Sequence, residues 1–164
     1  MPRKGISLHL GLNRVDPAHY GGWDGQLTAC EADAEDMKAI ALAQGFTPQM
    51  LLRRQATSTA VIAALQRAAA ALKSGDLFFL SYSGHGGQVP DTNHDEADRQ
   101  DETWVLYDRE LVDDELYAVW GKFAGGYKLF RDRIAAQMPA SQTPNYYVVG
   151  AANAAFERQK PFTI

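Results

Sequence analysis

A single cysteine, Cys30, stands in 164 residues. That scarcity excludes an internal disulfide and any cysteine-only zinc cluster, and it favours a reducing, cytoplasmic setting. A basic stripe is also missing. With a net charge of −4 and a pI near 5.5 there is nothing to neutralise phosphates, so no nucleic-acid partner is expected. No apolar run approaches the length of a membrane span, and no membrane partner is expected. The stretch 6–12 after Arg3-Lys4 contains His9 and runs into Asn13-Arg14-Val15-Asp16-Pro17, which makes it too short for a signal core. No repeat, low-complexity tract or linker divides the chain. Its length suits one domain burying roughly two thirds of its unfolded surface.

What the chain does have is concentrated in residues 76–91, where the apolar run Leu77-Phe-Phe-Leu80 leads through Ser81-Tyr-Ser-Gly84 to His85 and the pair Gly86-Gly87. A run so short, bounded by Gly75 and by Gly84, Gly86 and Gly87, reads as a buried strand. His85 then lies at the carboxyl end of that strand, the edge of an open α/β sheet where ligands bind. Glycines on both sides allow close approach of a substrate backbone and leave amide nitrogens pointing outward. An imidazole titrating near neutrality suits proton transfer there, and a loop histidine satisfied by hydrogen bonds is the plainer alternative.

The remaining elements alternate around this strand. Residues 5–12 read as a first strand, with Ile6, Leu8 and Leu10 alternating against Ser7 and His9; the glycine-rich stretch 21–25 reads as loop. Residues 30–43 read as a helix ended by Gly45, and residues 50–52 as a short strand. A helix capped by Ser58 carries Val61, Ile62, Leu65, Ala69 and Leu72 as its apolar stripe. Strands are then expected at 104–108 and 145–150, and helices at 113–122 and 127–138. Strand, helix, strand, helix, strand implies by right-handed crossovers a parallel sheet covered on both faces.

Carboxylates crowd residues 91–115, from Asp91, Asp95 and Glu96 through Asp101 and Glu102 to Asp113, Asp114 and Glu115, opposed only by Arg99 and Arg109. Such density calls for solvent or for a hard, oxygen-seeking cation such as calcium, although the spacing is not that of an EF-hand. Asp113 and Asp114 could equally complement the amino end of the helix they begin. His94 beside Asp91 and Asp95 offers a transition-metal alternative, hence a metal-dependent hydrolase, without a second well-placed histidine. Cys30 and Asp33 share one helix face. Helix amino ends stabilise thiolates, yet Cys30 also continues the apolar stripe through Ala34 and Met37. Ser81 and Ser83 are discounted as nucleophiles, since strand alternation gives neither hydroxyl a line to the imidazole.

Leu27-Thr-Ala-Cys30-Glu-Ala-Asp33-Ala34, the Ser81-Tyr-Ser-Gly-His85-Gly segment and Asp101-Glu-Thr-Trp104 continuing to Leu111-Val-Asp113-Asp114-Glu-Leu116 resemble the caspase-like cysteine peptidases of the metacaspase-like bacterial branch. The segments 138–147 and 156–164 also look like that branch's carboxyl terminus. The resemblance implies an α/β, caspase-like three-layer sandwich with a mostly parallel central sheet and helices on both faces. It implies a cysteine endopeptidase that cleaves after arginine or lysine in a peptide or protein substrate. His85 would be general base and acid, Gly86 an oxyanion donor, Asp33 and Cys30 lining for the basic side chain, and Asp101, Asp113 and Asp114 ligands for calcium. A monomer is implied as well.

One part of the pattern is absent. The family places another buried strand after the helix at 113–122, ending in a D-S-C-H-S-G-like motif whose cysteine is the nucleophile. Here Phe123-Ala-Gly-Gly126 is all that joins the two predicted helices. The single domain over residues 1–164 is therefore expected to lack at least one family strand, through an internal deletion near residues 120–127. An alternative is a pseudo-peptidase that binds basic peptides or proteins without turnover. Cys30 acting as a substitute nucleophile is a third.

Overall fold

The structure, a computed structural model, describes residues 4–94 and 99–123 and the backbones of strands 127–129 and 146–151. In chain order the elements are β1 (Gly5–Gly11), α1 (Cys30–Ala43), β2 (Thr47–Leu52), α2 (Ser58–Ala71), β3 (Leu77–Ser83), β4 (Gly86–Pro90), β5 (Gln100–Val105), β6 (Glu110–Val112), α3 (Asp113–Trp120), β7 (Tyr127–Leu129) and β8 (Tyr146–Ala151). Among them a central sheet has the order β2-β1-β3-β8-β7, and a smaller sheet the order β4-β5-β6.

The central sheet follows from the alternation in β1. Leu8 and Leu10 face one side, where Phe78, Leu80 and Tyr82 of β3 join Val61, Leu65 and Ala68 of α2 in the main core. Ser7 and His9 face the other side, toward α1, which packs on β1, β2 and β3. Alanine-rich α1 comes close to that sheet: a Cβ at Gly11 would collide with the Cys30 carbonyl oxygen, so only glycine fits beneath the start of the helix. β1 is flanked by β2 and β3 in parallel, with His9 opposite Met50 and Ser81. Helices thus cover both faces of a parallel three-strand heart, the expected sandwich.

Several expectations need correction. β8 runs antiparallel to β3, and β7 antiparallel to β8, so the sheet is parallel at its heart and antiparallel at one edge. The helix expected at 127–138 begins instead as strand β7; its later residues lie outside those described. The strand expected at 104–108 is displaced to Gln100–Val105, and β4 and β6 flank it in an antiparallel sheet not foreseen from the sequence. Among the described residues no helix is long and apolar enough to cross a membrane.

The cap of α2 also differs. Thr57, not Ser58, is the N-cap, its hydroxyl accepting from the Ala60 amide at 3.2 Å. Ser58 donates through its amide and hydroxyl to the Asp108 carboxylate at 2.7 and 2.9 Å, which ties the helix start to the loop before β6. Asp108→Ala orphans the buried Ser58 groups, and urea denaturation is expected to show a loss of about 1–2 kcal/mol.

Candidate active site

His85 sits where the chain leaves the central sheet and enters the smaller one. Two backbone bonds fix it there, since its carbonyl accepts from the Val105 amide at 3.0 Å and from the Tyr82 hydroxyl at 2.6 Å. Tyr82 shares that hydroxyl proton with the Val105 carbonyl at 3.0 Å and stacks flat on Trp104 at 4.8 Å. Burial pushes the Tyr82 phenol well above its ordinary range, so it stays a neutral donor. Gly84 is required between them, because a Cβ there would meet the Tyr82 hydroxyl at 2.6 Å.

The ring itself is held by the loop between β1 and α1. Nε2 of the half-buried His85 lies 3.2 Å from the Gly25 carbonyl oxygen. A carbonyl only accepts, so Nε2 carries a proton, and in the neutral ring Nδ1 is the nitrogen that holds the lone pair. Nδ1 has no partner among the described residues. Gly25 adopts φ +56, and a Cβ there would press on both Trp23 and the His85 ring. Trp23, 46% exposed, packs against His85 with ring centroids 4.9 Å apart. The loop is anchored by Val15 N to Asp24 O at 2.9 Å and Leu27 N to Asn13 O at 2.8 Å.

Gly86 opens β4 directly after His85. The Val105 amide bonds the His85 carbonyl, so residues 85 and 105 form a hydrogen-bonded pair, and Gly86 opposite Trp104 belongs to the alternate, unbonded kind. Its N–H therefore points away from β5, and no partner for it is recorded among the described residues.

The carboxylate expected to meet a basic side chain lies at the same sheet edge. Asp33, in the first turn of α1, accepts from the Ser83 hydroxyl at 2.7 Å, two residues before His85. Leu12 N bonds Ser83 O at 3.0 Å, and Asn13 Oδ1 accepts from the Cys30 amide at 2.8 Å. The ends of β1 and β3 and the start of α1 are thus one hydrogen-bonded unit, with the backbone neighbour Ala29 offering α1 no side-chain cap. Cys30 is 7% exposed, with its amide engaged by Asn13. Both serines discounted as nucleophiles point away from the imidazole of His85, Ser81 to His9 Nδ1 at 2.8 Å and Ser83 to Asp33.

The residues expected to bind calcium lie in β5 and at the start of α3. Asp101 is buried in β5, and Asp113 and Asp114 begin α3, where Asp114 accepts from Asn93 Nδ2 at 2.6 Å. Burial, and then the charges of Asp114, Glu102 and Asp101, push the Asp113 carboxyl up to about 6. Oxygen donors that repel one another in this way fit a hard cation chemically. Among the described residues, however, no three acidic, histidine or cysteine side chains converge as a ligand group. Asp91 caps a turn, accepting from the Asn93 and His94 amides at 2.9 and 2.6 Å, and Asp95 lies outside the described residues.

Asp113 gives a pH dependence of definite sign. Its folded value lies above the ordinary 3.8, so its favourable contribution is complete below that value and is lost as pH rises through about 6. At neutral pH in a chelator, Asp113→Asn should stabilise the fold by about 1 kcal/mol, a figure discounted for partial solvent screening. At about pH 4 the difference should vanish, which thermal melts at the two pH values test.

The caspase-domain profile matches residues 15–133, well over half of the sequence. The chain belongs to the caspase-domain family. Metacaspase-1 of Mycosarcoma maydis is 30% identical over 132 residues, covering 73% of this chain and 31% of that protein. Metacaspase-1A of Aspergillus clavatus is 32% identical over 130 residues, covering 69% and 28%. A crystal structure of a protein from Geobacter sulfurreducens is 65% identical with a TM-score of 0.70, covering 75% of this chain and 47% of that one. This caspase domain therefore spans under a third of those metacaspases and about half of the Geobacter chain. The matched span contains Cys30, Asp33, His85, Gly86, Asp101, Asp113 and Asp114. Sequence reasoning missed Gly25, Trp23, Asn13 and the pairing of Ser83 with Asp33. The cluster Gly21-Gly22-Trp23-Asp24-Gly25 was the available signal, an aromatic residue amid glycines demanding a fixed turn.

Proposed function

We propose that this caspase domain carries the histidine side of a cysteine endopeptidase site that cleaves polypeptides after arginine or lysine. The observation that supports it most is the His85 ring held through Nε2 by the Gly25 carbonyl, with Nδ1 and the Gly86 N–H left open beside it. In the proposed reaction a thiolate bonds to the peptide carbonyl carbon while the carbonyl electron pair moves onto oxygen, received by the Gly86 N–H. His85 Nδ1, having taken the thiol's proton to form that thiolate, gives it to the amine as the C–N bond breaks, later takes one from the water that opens the thioester, and returns it to the departing thiolate. Asp33, kept in place by Ser83, pairs with the guanidinium or ammonium of the residue before the cleaved bond. Asp101, Asp113 and Asp114 are the residues that would meet calcium, although among the described residues they do not converge as a ligand group. The reading takes the protein as a cytoplasmic monomer acting on basic peptide or protein segments.

A second reading is favoured by one specific fact: the only cysteine in the sequence is Cys30, and it is buried. Without a thiolate at the imidazole, the same pocket binds basic peptides and does not turn them over. Arginyl and lysyl fluorogenic peptides, with and without calcium, separate the two. Turnover abolished by His85→Ala supports the peptidase, and peptide binding lost in Asp33→Ala without turnover supports the binding module. Turnover indifferent to His85→Ala and stopped by a zinc chelator would overturn both in favour of a metal hydrolase.

A further inference from the structure

Arg53 takes no part in the proposed reaction, yet the chain holds it in an uncommon way. It follows β2 directly with φ +46, a left-handed conformation that is costly for a residue with a Cβ and free for glycine. Its guanidinium grips Glu31 as a fork, Nε to Oε1 and Nη2 to Oε2, each at 2.8 Å. The Arg53 side chain is 52% exposed, and an ion pair so open to solvent contributes too little to the fold to offset such a backbone. Strain of this kind persists where the neighbouring structure enforces it, and it gathers at functional sites. Arg53 stands at the sheet edge that carries Asp33 and His85. Leu52, Gly11 and Ser83 form one row across β2, β1 and β3, so the three parallel strands end level. α1 begins on that row, close enough that a Cβ at Gly11 would meet Glu31 Cα as well as the Cys30 oxygen. From its first turn Glu31 reaches Arg53 past the end of β2, and Asp33 reaches Ser83 at the end of β3. Strands about 4.8 Å apart put these two anchoring points about 10 Å from each other, which about three residues of extended chain span.

We propose that Arg53 is a specificity-determining residue: by occupying the Glu31 carboxylate it confines recognition to one basic side chain of the bound polypeptide. The inference rests on the basic-peptide reading of Asp33, and it states which basic segments that site prefers. The two carboxylates in the first turn of α1 differ in what holds them. Asp33 is oriented by a neutral hydroxyl and keeps its full charge for a guanidinium or ammonium. Glu31 has both oxygens engaged by a cation, so the pair is neutral overall and no second fork forms on it. A second basic side chain within three residues of the first therefore gains nothing at this edge. Without Arg53 the same turn presents two carboxylates, and a segment with two arginines is preferred.

The test measures binding of labelled peptides to the full chain at physiological salt. One peptide has a single arginine, and a set has a second arginine up to about three residues away on either side, all other residues being neutral. Wild type should bind the single-arginine peptide and the whole set within about twofold of one another. Arg53→Ala frees Glu31, and should tighten at least one two-arginine peptide about tenfold while leaving the single-arginine peptide unchanged. Adding Glu31→Gln to Arg53→Ala should abolish that gain. Glu31→Gln alone leaves the cation unpaired and should weaken two-arginine peptides severalfold against the single-arginine one, which keeps the inference falsifiable if Arg53→Ala does not fold. Arg53→Gly should show the same gain as Arg53→Ala with a higher melting temperature, since glycine takes φ +46 without strain. An unchanged preference in both Arg53→Ala and Glu31→Gln would overturn the inference and leave the Asp33 site standing. A gain that survives in the double variant would overturn it too, by making net charge alone the cause. An equal loss of every peptide in Arg53→Ala would overturn it by reducing the fork to a clamp on α1. If no peptide binds wild type, the underlying basic-peptide reading fails and this inference fails with it.

Discussion

Under the proposed function, Asp33→Ala should lower the affinity for arginyl and lysyl peptides by about thirtyfold, or about 2 kcal/mol, while α1 remains folded. The size follows from the geometry. One carboxylate oxygen is engaged by Ser83 at 2.7 Å, which orients the group, and the other remains for a charge-assisted bond to a guanidinium or ammonium. Cys30 and Glu31 keep their amides on Asn13, so the start of the helix does not depend on Asp33. Asp33→Asn retains an acceptor for Ser83 but lacks the charge, and should lose nearly as much. Ser83→Ala keeps the charge and frees its orientation, so its loss should be smaller. Isothermal titration with an arginyl peptide distinguishes these cases, and an Asp33→Ala protein binding like wild type would remove Asp33 from the pocket.

The second large effect lies in the sheet. His9 is wholly buried, with Nδ1 2.8 Å from Ser81 Oγ, Nε2 2.9 Å from Ser7 Oγ and its ring edge-on to Phe79 at 5.1 Å. Burial first, and then the positive charge of Lys38, depress its pKa from 6.5 to about 4. Between those values the unfolded chain binds a proton that the folded chain refuses. The neutral imidazole therefore contributes stability fully above about pH 6.5, and that contribution is lost as pH falls toward 4. By about pH 4.5 the loss should reach roughly 2.5 kcal/mol, a large part of an ordinary domain's stability. His9→Gln can still bond a neighbouring serine and does not titrate. The wild type should lose more stability than this variant on acidification, as urea midpoints at the two pH values would show. Parallel losses would mean that His9 takes up a proton in the folded state. Asp113 acts with opposite sign in an overlapping window but is common to both proteins, so the difference isolates His9.

Much of the frame was legible because the residues that build it repeat with the period of their element. Cys30–Ala43 is helical over the limits its apolar spacing suggests, and Leu77–Ser83 is the buried strand that a short apolar run between glycines implies. The smaller sheet was not legible. Gly86-Gly87-Gln88 lacks apolar alternation, and Gln100-Asp101-Glu102-Thr103 reads as a charged loop, although Asp101 and Thr103 are its buried positions. Thr103 tolerates that place because its hydroxyl donates to Glu110 at 2.6 Å, a partner seven residues away that no local pattern announces. The helix expected at 127–138 gives way at its start to β7, because Tyr127–Leu129 pairs with β8, a partner distant in the chain. His85 and Asp33 could be picked out by residue type and position. Their supports could not, because Gly25, Asn13 and Ser83 act through contacts made only once the loop, helix and strand have assembled.

The account depends on an imidazole whose Nε2–H is bound to Gly25 and whose Nδ1 faces the substrate. Long-range nitrogen–proton correlation spectra of the histidine rings, recorded with and without an arginyl peptide, examine that directly. The expected result is a His85 ring protonated on Nε2 when neutral, with its resonances displaced by the peptide in wild type and undisturbed in Asp33→Ala. A His85 ring protonated on Nδ1, or one indifferent to saturating peptide, would contradict the account.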